Sequence, residues 1–152
     1  MMVNLDLKLT CAIARSTHLL GDKWSLLILR DMLLHKKSRF KEFMESKEKI
    51  ATNILTNRIK SLIDADLIVL SDKNSTKKSR QYIATQKGIS TLPIILELYM
   101  FSIKDINESV LNDQQIQIKK QIISNSENFI NSKRIDYMAF KEDLLSKVIE
   151  HK

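Results

Sequence analysis

At 152 residues, with two glycines, one proline and one cysteine, the chain is long enough to bury a core unaided and too poor in helix breakers for a turn-rich sheet fold, which predicts a mostly helical protein. The single Cys11 excludes an internal disulfide and a cysteine-based zinc site; no apolar run is long enough to span a membrane, and Met1 to Asp6 lack the basic and apolar stretches of a signal peptide, so a soluble cytoplasmic protein is expected. The net charge of +7 is unevenly spread, residues 1–101 holding 17 Lys and Arg against 10 Asp and Glu and residues 102–152 holding 8 of each, which points to a polyanionic partner for the first two thirds only.

Residues 12–20 read as a short helix with Ala12, Ile13, Leu19 and Leu20 as apolar members and Thr10 as its cap. Gly21 breaks the pattern. Asp22 caps a second helix with Trp24, Leu27, Ile28, Met32 and Leu33 or Leu34 inside. Residues 35–38 form a polar connection. Ser38 or Arg39 opens a short helix with Phe40, Phe43 and Met44 inside, and Lys47 to Lys49 make a turn. Ile50 to Ala65 is a helix again, with Ile54 or Leu55, Ile59, Leu62 and Ile63 at helical spacing.

The period then changes. Leu67 to Leu70 is short, apolar and partly β-branched, and reads as a strand. Asp72 to Ser79 is wholly polar, and Arg80 to Ala84 returns as a second strand, with Tyr82 and Ala84 on one side and Gln81 and Ile83 on the other. The pair is a hairpin with a long basic tip. Thr85 caps a helix running through Leu92, Ile95, Leu96, Leu98, Tyr99 and Phe101, in which Pro93 predicts a kink or a late start. From about residue 105 two further helices are predicted. One runs through Ile116, Ile118, Ile122, Ile123, Phe129 and Ile130, the other through Ile135, Met138, Phe140, Leu144, Leu145, Val148 and Ile149, with the break at Asn131-Ser132.

Helix, short helix, turn, helix and basic hairpin, in that order, make a winged helix-turn-helix. The expected fold is therefore mainly α with a small β-hairpin: a winged-helix DNA-binding domain over 1–104 and a helical extension, read as a dimerisation region, over 105–152. In such a domain the second helix of the helix-turn-helix lies in the major groove. Its outer side here offers Thr52, Asn53, Thr56, Asn57 and Lys60, short amides and hydroxyls that suit base edges and phosphates. Arg58 either contacts phosphate or pairs with Asp64 or Asp66. Lys73, Lys77, Lys78 and Arg80 on the hairpin are placed to replace counterions along the DNA backbone.

The residues also resemble a known family. Cys11 to Arg15, Leu20-Gly21-Asp22-Lys23-Trp24 and Leu26 to Asp31 are similar to the opening signature of HxlR regulators. Phe40-Lys41-Glu42-Phe43, then Ile50-Ala51 with Leu55 to Ile59, then Arg80-Gln81-Tyr82 and Thr85 to Gly88 follow in the family's order. The resemblance covers roughly residues 11–101. It implies a bacterial transcription regulator that binds double-stranded operator DNA as a homodimer, without cofactor, metal or membrane, and it leaves the small-molecule effector open. Where the family has a serine cap before the recognition helix, this chain has Ala51, a poor N-cap that costs on the order of 1 kcal/mol; Thr52 is an alternative cap.

Cys11 is the redox-sensing candidate, since some HxlR regulators respond to oxidants or electrophiles through the matching cysteine. It sits at a helix start with Arg15 four residues on, a setting that favours the thiolate; the plainer reading is a small apolar residue at a dimer contact. Trp24 reads as core, and His18 and His35 as surface or boundary residues. Catalysis by Cys11 with His18 as base is rejected, because seven residues of helix separate them by about 10 Å along the axis. No Gly-rich phosphate loop is present. The other reading is a winged-helix protein-interaction module without specific DNA binding. In either case the N-terminal helix and the tail helices are expected to form the homodimer interface, the alternative being a tail that packs on its own subunit, or a mix of both.

Overall fold

In the computed structural model of the chain, residues 10–150 are described. The opening residues read above for a signal peptide lie outside them. Helix α1 (Ala12–Leu20) is followed by Gly21, whose backbone comes so close to the Thr17 carbonyl that a Cβ would meet its oxygen at 2.2 Å. Cys11, not Thr10, is the N-cap of α1, and its side chain makes no capping bond. Helix α2 (Lys23–His35) starts as expected: Asp22 accepts from the Ser25 N–H at 2.8 Å. It runs one residue into the predicted connection and ends on Lys36 in the left-handed region, with the Lys37 N–H returning to the Asp31 carbonyl at 3.1 Å.

Helix α3 (Phe40–Met44) is short, and Glu42 reaches back to accept from the Arg39 N–H at 2.9 Å. Helix α4 (Thr52–Asp64) starts two residues later than predicted, with the uncapped Ala51 as its N-cap. Strands β1 (Ile68–Leu70) and β2 (Tyr82–Ala84) pair antiparallel, Ile68 opposite Ala84 and Leu70 opposite Tyr82. Tyr82, Ile83 and Ala84 are all buried, so both faces of the return strand are covered. The segment predicted as one helix after Thr85 is two, α5 (Gln86–Ile89) and α6 (Leu92–Ile103). Pro93 falls in the first turn of α6, where its missing N–H costs nothing.

A 3₁₀ turn (Glu108–Val110) leads to α7 (Asp113–Ser124) and α8 (Ser126–Glu150). The break lies at Asn125 and not at Asn131-Ser132. Asn125 leaves helical geometry (φ −161°, ψ 90°), and its side chain accepts from the Asn128 N–H at 3.0 Å to start α8. Asn131 and Ser132 stay inside α8 because both find partners within the helix: Asn131 accepts from Arg134 and Ser132 donates to the Phe129 carbonyl, each at 2.9 Å.

The main core joins Ile28, Leu29 and Met32 of α2, Leu55, Ile59 and Leu62 of α4, the strands, and Leu92 and Ile95 of α6. Trp24 only borders it, half-buried, with Lys23 Nζ 4.6 Å from its ring centroid. Gly88 is required by packing, since a Cβ there would sit 2.1 Å from the Leu67 carbonyl oxygen. The extension packs on its own domain. Tyr137 of α8, 1% exposed, belongs to the main core, while Phe129 and Ile122 join Leu96 in a second cluster between α6, α7 and α8. Among the described residues no helix is long and apolar enough to cross a membrane.

Candidate nucleic-acid interface

Leu55, Ile59 and Leu62, almost wholly buried, fasten one side of α4 to the core. The helical period then leaves Thr52, Asn53, Thr56, Asn57 and Lys60 together on the opposite, exposed side. Each belongs to the predicted contact set. Thr52 does not cap the helix; its hydroxyl lies 3.9 Å from the Met44 sulfur. The Thr56 hydroxyl donates to the Thr52 carbonyl at 2.9 Å, so outward it offers an acceptor oxygen. The Asn53 and Asn57 amides face solvent with both donors and acceptors.

Arg58 is set apart from these. It is half-buried, and its guanidinium lies 3.8 Å from the Asp22 carboxylate, an acid that the sequence spacing did not single out. Asp22 thus has two tasks: it caps α2 and holds Arg58, joining the N-terminus of α2 to the middle of α4.

The wing follows α4 through a tight turn. The Leu67 N–H returns to the Leu62 carbonyl at 3.0 Å, and Asp66 occupies the left-handed region at φ 61°. The tip is built from two successive turns closed by Asp72 with Ser75 and by Thr76 with Ser79. Lys73, Lys77 and Lys78 project from these turns, fully exposed, and none enters an ion pair among the described residues. Arg80, on the return arm, is half-buried, and its Nε is buried with no hydrogen-bond partner among the described residues.

A charged network fixes the helix-turn-helix angle from behind. Asp31, buried in α2, accepts from Arg30 (2.7 and 2.9 Å), from Lys37 (3.3 Å) and from Ser46. Arg30 also binds Glu48 at 2.6 Å, and this bond holds the Glu48 carboxyl down at about 2. Burial pushes His35 below its ordinary value. Among the described residues no group of three or more acidic, histidine or cysteine side chains is arranged to hold a metal.

Sequence reasoning missed the residues that secure the wing strand from outside. The Tyr137 hydroxyl accepts from the Ala84 N–H, and Lys141 Nζ donates to the Ala84 carbonyl, each at 2.8 Å. The two partners lie more than fifty residues from Ala84, so no local pattern could reveal them. Cys11 is exposed and unpaired at the start of α1.

The family model for the HxlR-like helix-turn-helix matches residues 19–110. Among solved structures, the chain is similar to PA1607, a proposed transcription factor, at 30% identity and a TM-score of 0.57, covering 64% of this chain and 66% of that one. It is also similar to a proposed transcription factor from Pseudomonas aeruginosa, PA1374, at 31% identity and a TM-score of 0.45, covering 68% of this chain and 66% of that one. The chain therefore spans just under two thirds of the length of each. No curated protein matches it. Since the matched span runs from the end of α1 through α2, α3, α4, the hairpin and α6 to the 3₁₀ turn, and so takes in more than half of the chain, the protein belongs to the HxlR-like helix-turn-helix family.

Proposed function

We propose that the protein is a sequence-specific transcription regulator that binds double-stranded operator DNA as a homodimer. The observation that carries this reading is the exposed polar face of α4, fastened to the core from the other side and followed directly by a wing tip bearing three exposed lysines that form no ion pair among the described residues. In the major groove, Asn53 and Asn57 have the bidentate amide geometry that suits adenine, and the Thr56 oxygen accepts from a base amino group. Lys60 and the wing lysines meet phosphates, which fixes register and makes affinity fall with salt. Arg58, tied to Asp22, acts as a brace that orients α4.

The test is a titration of the protein into DNA from upstream of its own coding region, with random DNA as control, at several salt concentrations. A preference of about a thousandfold or more, with a steep salt dependence, is the expected result. Asn57→Ala should then relax sequence preference, at about 1–3 kcal/mol of discrimination. Lys77→Ala should instead weaken binding to all sequences alike and reduce the salt slope. A retained dimer with no DNA affinity even at low salt would favour the protein-interaction module.

Two exposed apolar features support the homodimer. Ile13 of α1 is 75% exposed, and Ile94, Leu98 and Phe101 line one side of α6, Phe101 at 76%. Four such side chains in water are the expected mark of a subunit contact. The tail, read from sequence as part of the dimer surface, contributes to it only with the faces that α7 and α8 leave free after packing in cis. Light scattering at micromolar concentration should give twice the chain mass, and a monomer would overturn the homodimer. For Cys11, an exposed free thiol beside the α1 contact supports oxidant or electrophile sensing that releases DNA. Unchanged oxidant sensitivity and DNA affinity in Cys11→Ser would end that reading.

A further inference from the structure

A groove of about 380 Å³ lies between the base of the wing and α8. Its wing side carries Ser71, Asp72 and Gln81, the start of α3 contributes Arg39, and α8 supplies the opposite wall. The volume falls within the range of about 300–1,000 Å³ typical of small-molecule sites. It exceeds twice the roughly 150 Å³ that accommodates benzene in an engineered cavity. The α8 wall, residues 140–148, lies beyond the span 19–110 that matches the family. The groove is thus a product of this chain's extension.

Its chemistry is two-sided. Phe140, Leu144 and Val148 recur every fourth residue, so they form one apolar stripe along α8 facing the groove. On the polar side the charges are unequally satisfied. Lys147 neutralises Asp143 at 3.1 Å, and the Asp72 carboxylate caps the Asn74 N–H at 2.9 Å. Arg39 has no anionic partner among the described residues. In the orientation of the Gln81 amide that satisfies both groups, Arg39 donates to its oxygen at 2.6 and 3.1 Å. A carboxylate would replace that neutral acceptor with a charge-assisted, two-point bond, the geometry a guanidinium favours.

We infer that this groove binds a small carboxylic acid with an aromatic or aliphatic body, the carboxylate on Arg39 and the body along Phe140, Leu144 and Val148. Bound there, the acid bridges two parts of different rigidity. The α8 wall is fixed to β2 through Tyr137 and Lys141, whereas the wing tip is a pair of exposed turns. A ligand touching both stabilises one wing position over others, and that preference becomes a change in DNA affinity. This last step rests on the DNA-binding reading; the binding site does not.

The experiment therefore starts without DNA. Calorimetric titration of the full chain with benzoate and octanoate is compared with benzamide and octylamine. Both acids should bind at least tenfold more tightly than the amide and the amine. Arg39→Gln should cost at least tenfold, and Val148→Trp, which fills the groove from a half-exposed position, should abolish binding, with thermal unfolding used to verify that both variants fold. Absence of binding at millimolar acid, equal binding of octylamine, or binding indifferent to both variants would overturn the site. Hydrogen exchange of amides 71–81 should slow severalfold with octanoate; unchanged exchange would overturn the coupling to the wing. Octanoate should then shift affinity for upstream DNA. A protein that binds octanoate but no DNA would refute the regulator reading and leave the site standing.

Discussion

Single residues here carry work that their neighbours in sequence do not reveal. Asp22 was legible as a helix cap, yet its carboxylate also meets Arg58, thirty-six residues on. Glu48 lies in a turn between helices, and its carboxyl is held at about 2 against an ordinary 4.5, chiefly by the Arg30 hydrogen bond. An acid whose pKa is lower in the folded chain is protonated more readily in the unfolded one. Its contribution to stability is therefore complete above about pH 4.5 and is lost as the pH falls through about 2. Both side chains of the pair remain partly exposed, 27% for Arg30 and 30% for Glu48, so solvent screens the pair and the contribution is small. The acid-unfolding profile of Glu48→Gln should lack this part of the slope between those two pH values and match the wild type near neutrality.

At the scale of elements, helix ends decide most of the boundaries, and two of them give direct tests. Helix α4 begins on Ala51, whose side chain cannot accept from the first-turn N–H groups. Ala51→Ser should raise stability by about 0.5–2 kcal/mol, seen as a higher unfolding midpoint. Because the substitution leaves the wing lysines untouched, wing-dependent, non-specific affinity should stay unchanged. The second test concerns β2. In Tyr137→Phe the Ala84 N–H loses its acceptor in a buried setting, which should cost about 1–3 kcal/mol in denaturant unfolding. The ring volume is retained, so the loss reads the hydrogen bond and not a cavity. It should appear together with faster hydrogen exchange at Ala84.

For the whole molecule, the extension is part of the domain it follows. Helix α8 fills the main core with Tyr137, closes the second cluster with Phe129, and occupies both backbone groups of Ala84. A chain ending at residue 110, the limit of the family match, would uncover Leu96 and the buried wing strand. It should unfold at a markedly lower temperature than the full chain, or aggregate, with circular dichroism as the readout. A truncated chain as stable as the full one would show that the cis packing of α8 contributes nothing. The exposed stripe of Ile94, Leu98 and Phe101 on α6 lies apart from that packing.

The sequence by itself determined the elements whose causes are local. Few glycines and prolines, apolar residues at a period near 3.6, the Asp22 cap and the polar tip between two short apolar runs were enough to place the helix-turn-helix and the wing. The outer face of α4 was legible for the same reason: once Leu55, Ile59 and Leu62 are taken as buried, helix geometry fixes what points away. Tertiary structure decided whatever depends on partners distant in the chain. Ser132 and Asn131 read as a break, but within α8 their side chains bond to their own helix, so it continues. Both faces of the return strand are covered, so Ile83 is buried as well as Tyr82 and Ala84. Arg58, Arg80 and Arg39, alike on paper, came to rest near Asp22, half-buried on the return arm of the wing and at the edge of a groove, because burial and neighbouring charge are properties of the packed molecule and not of local sequence.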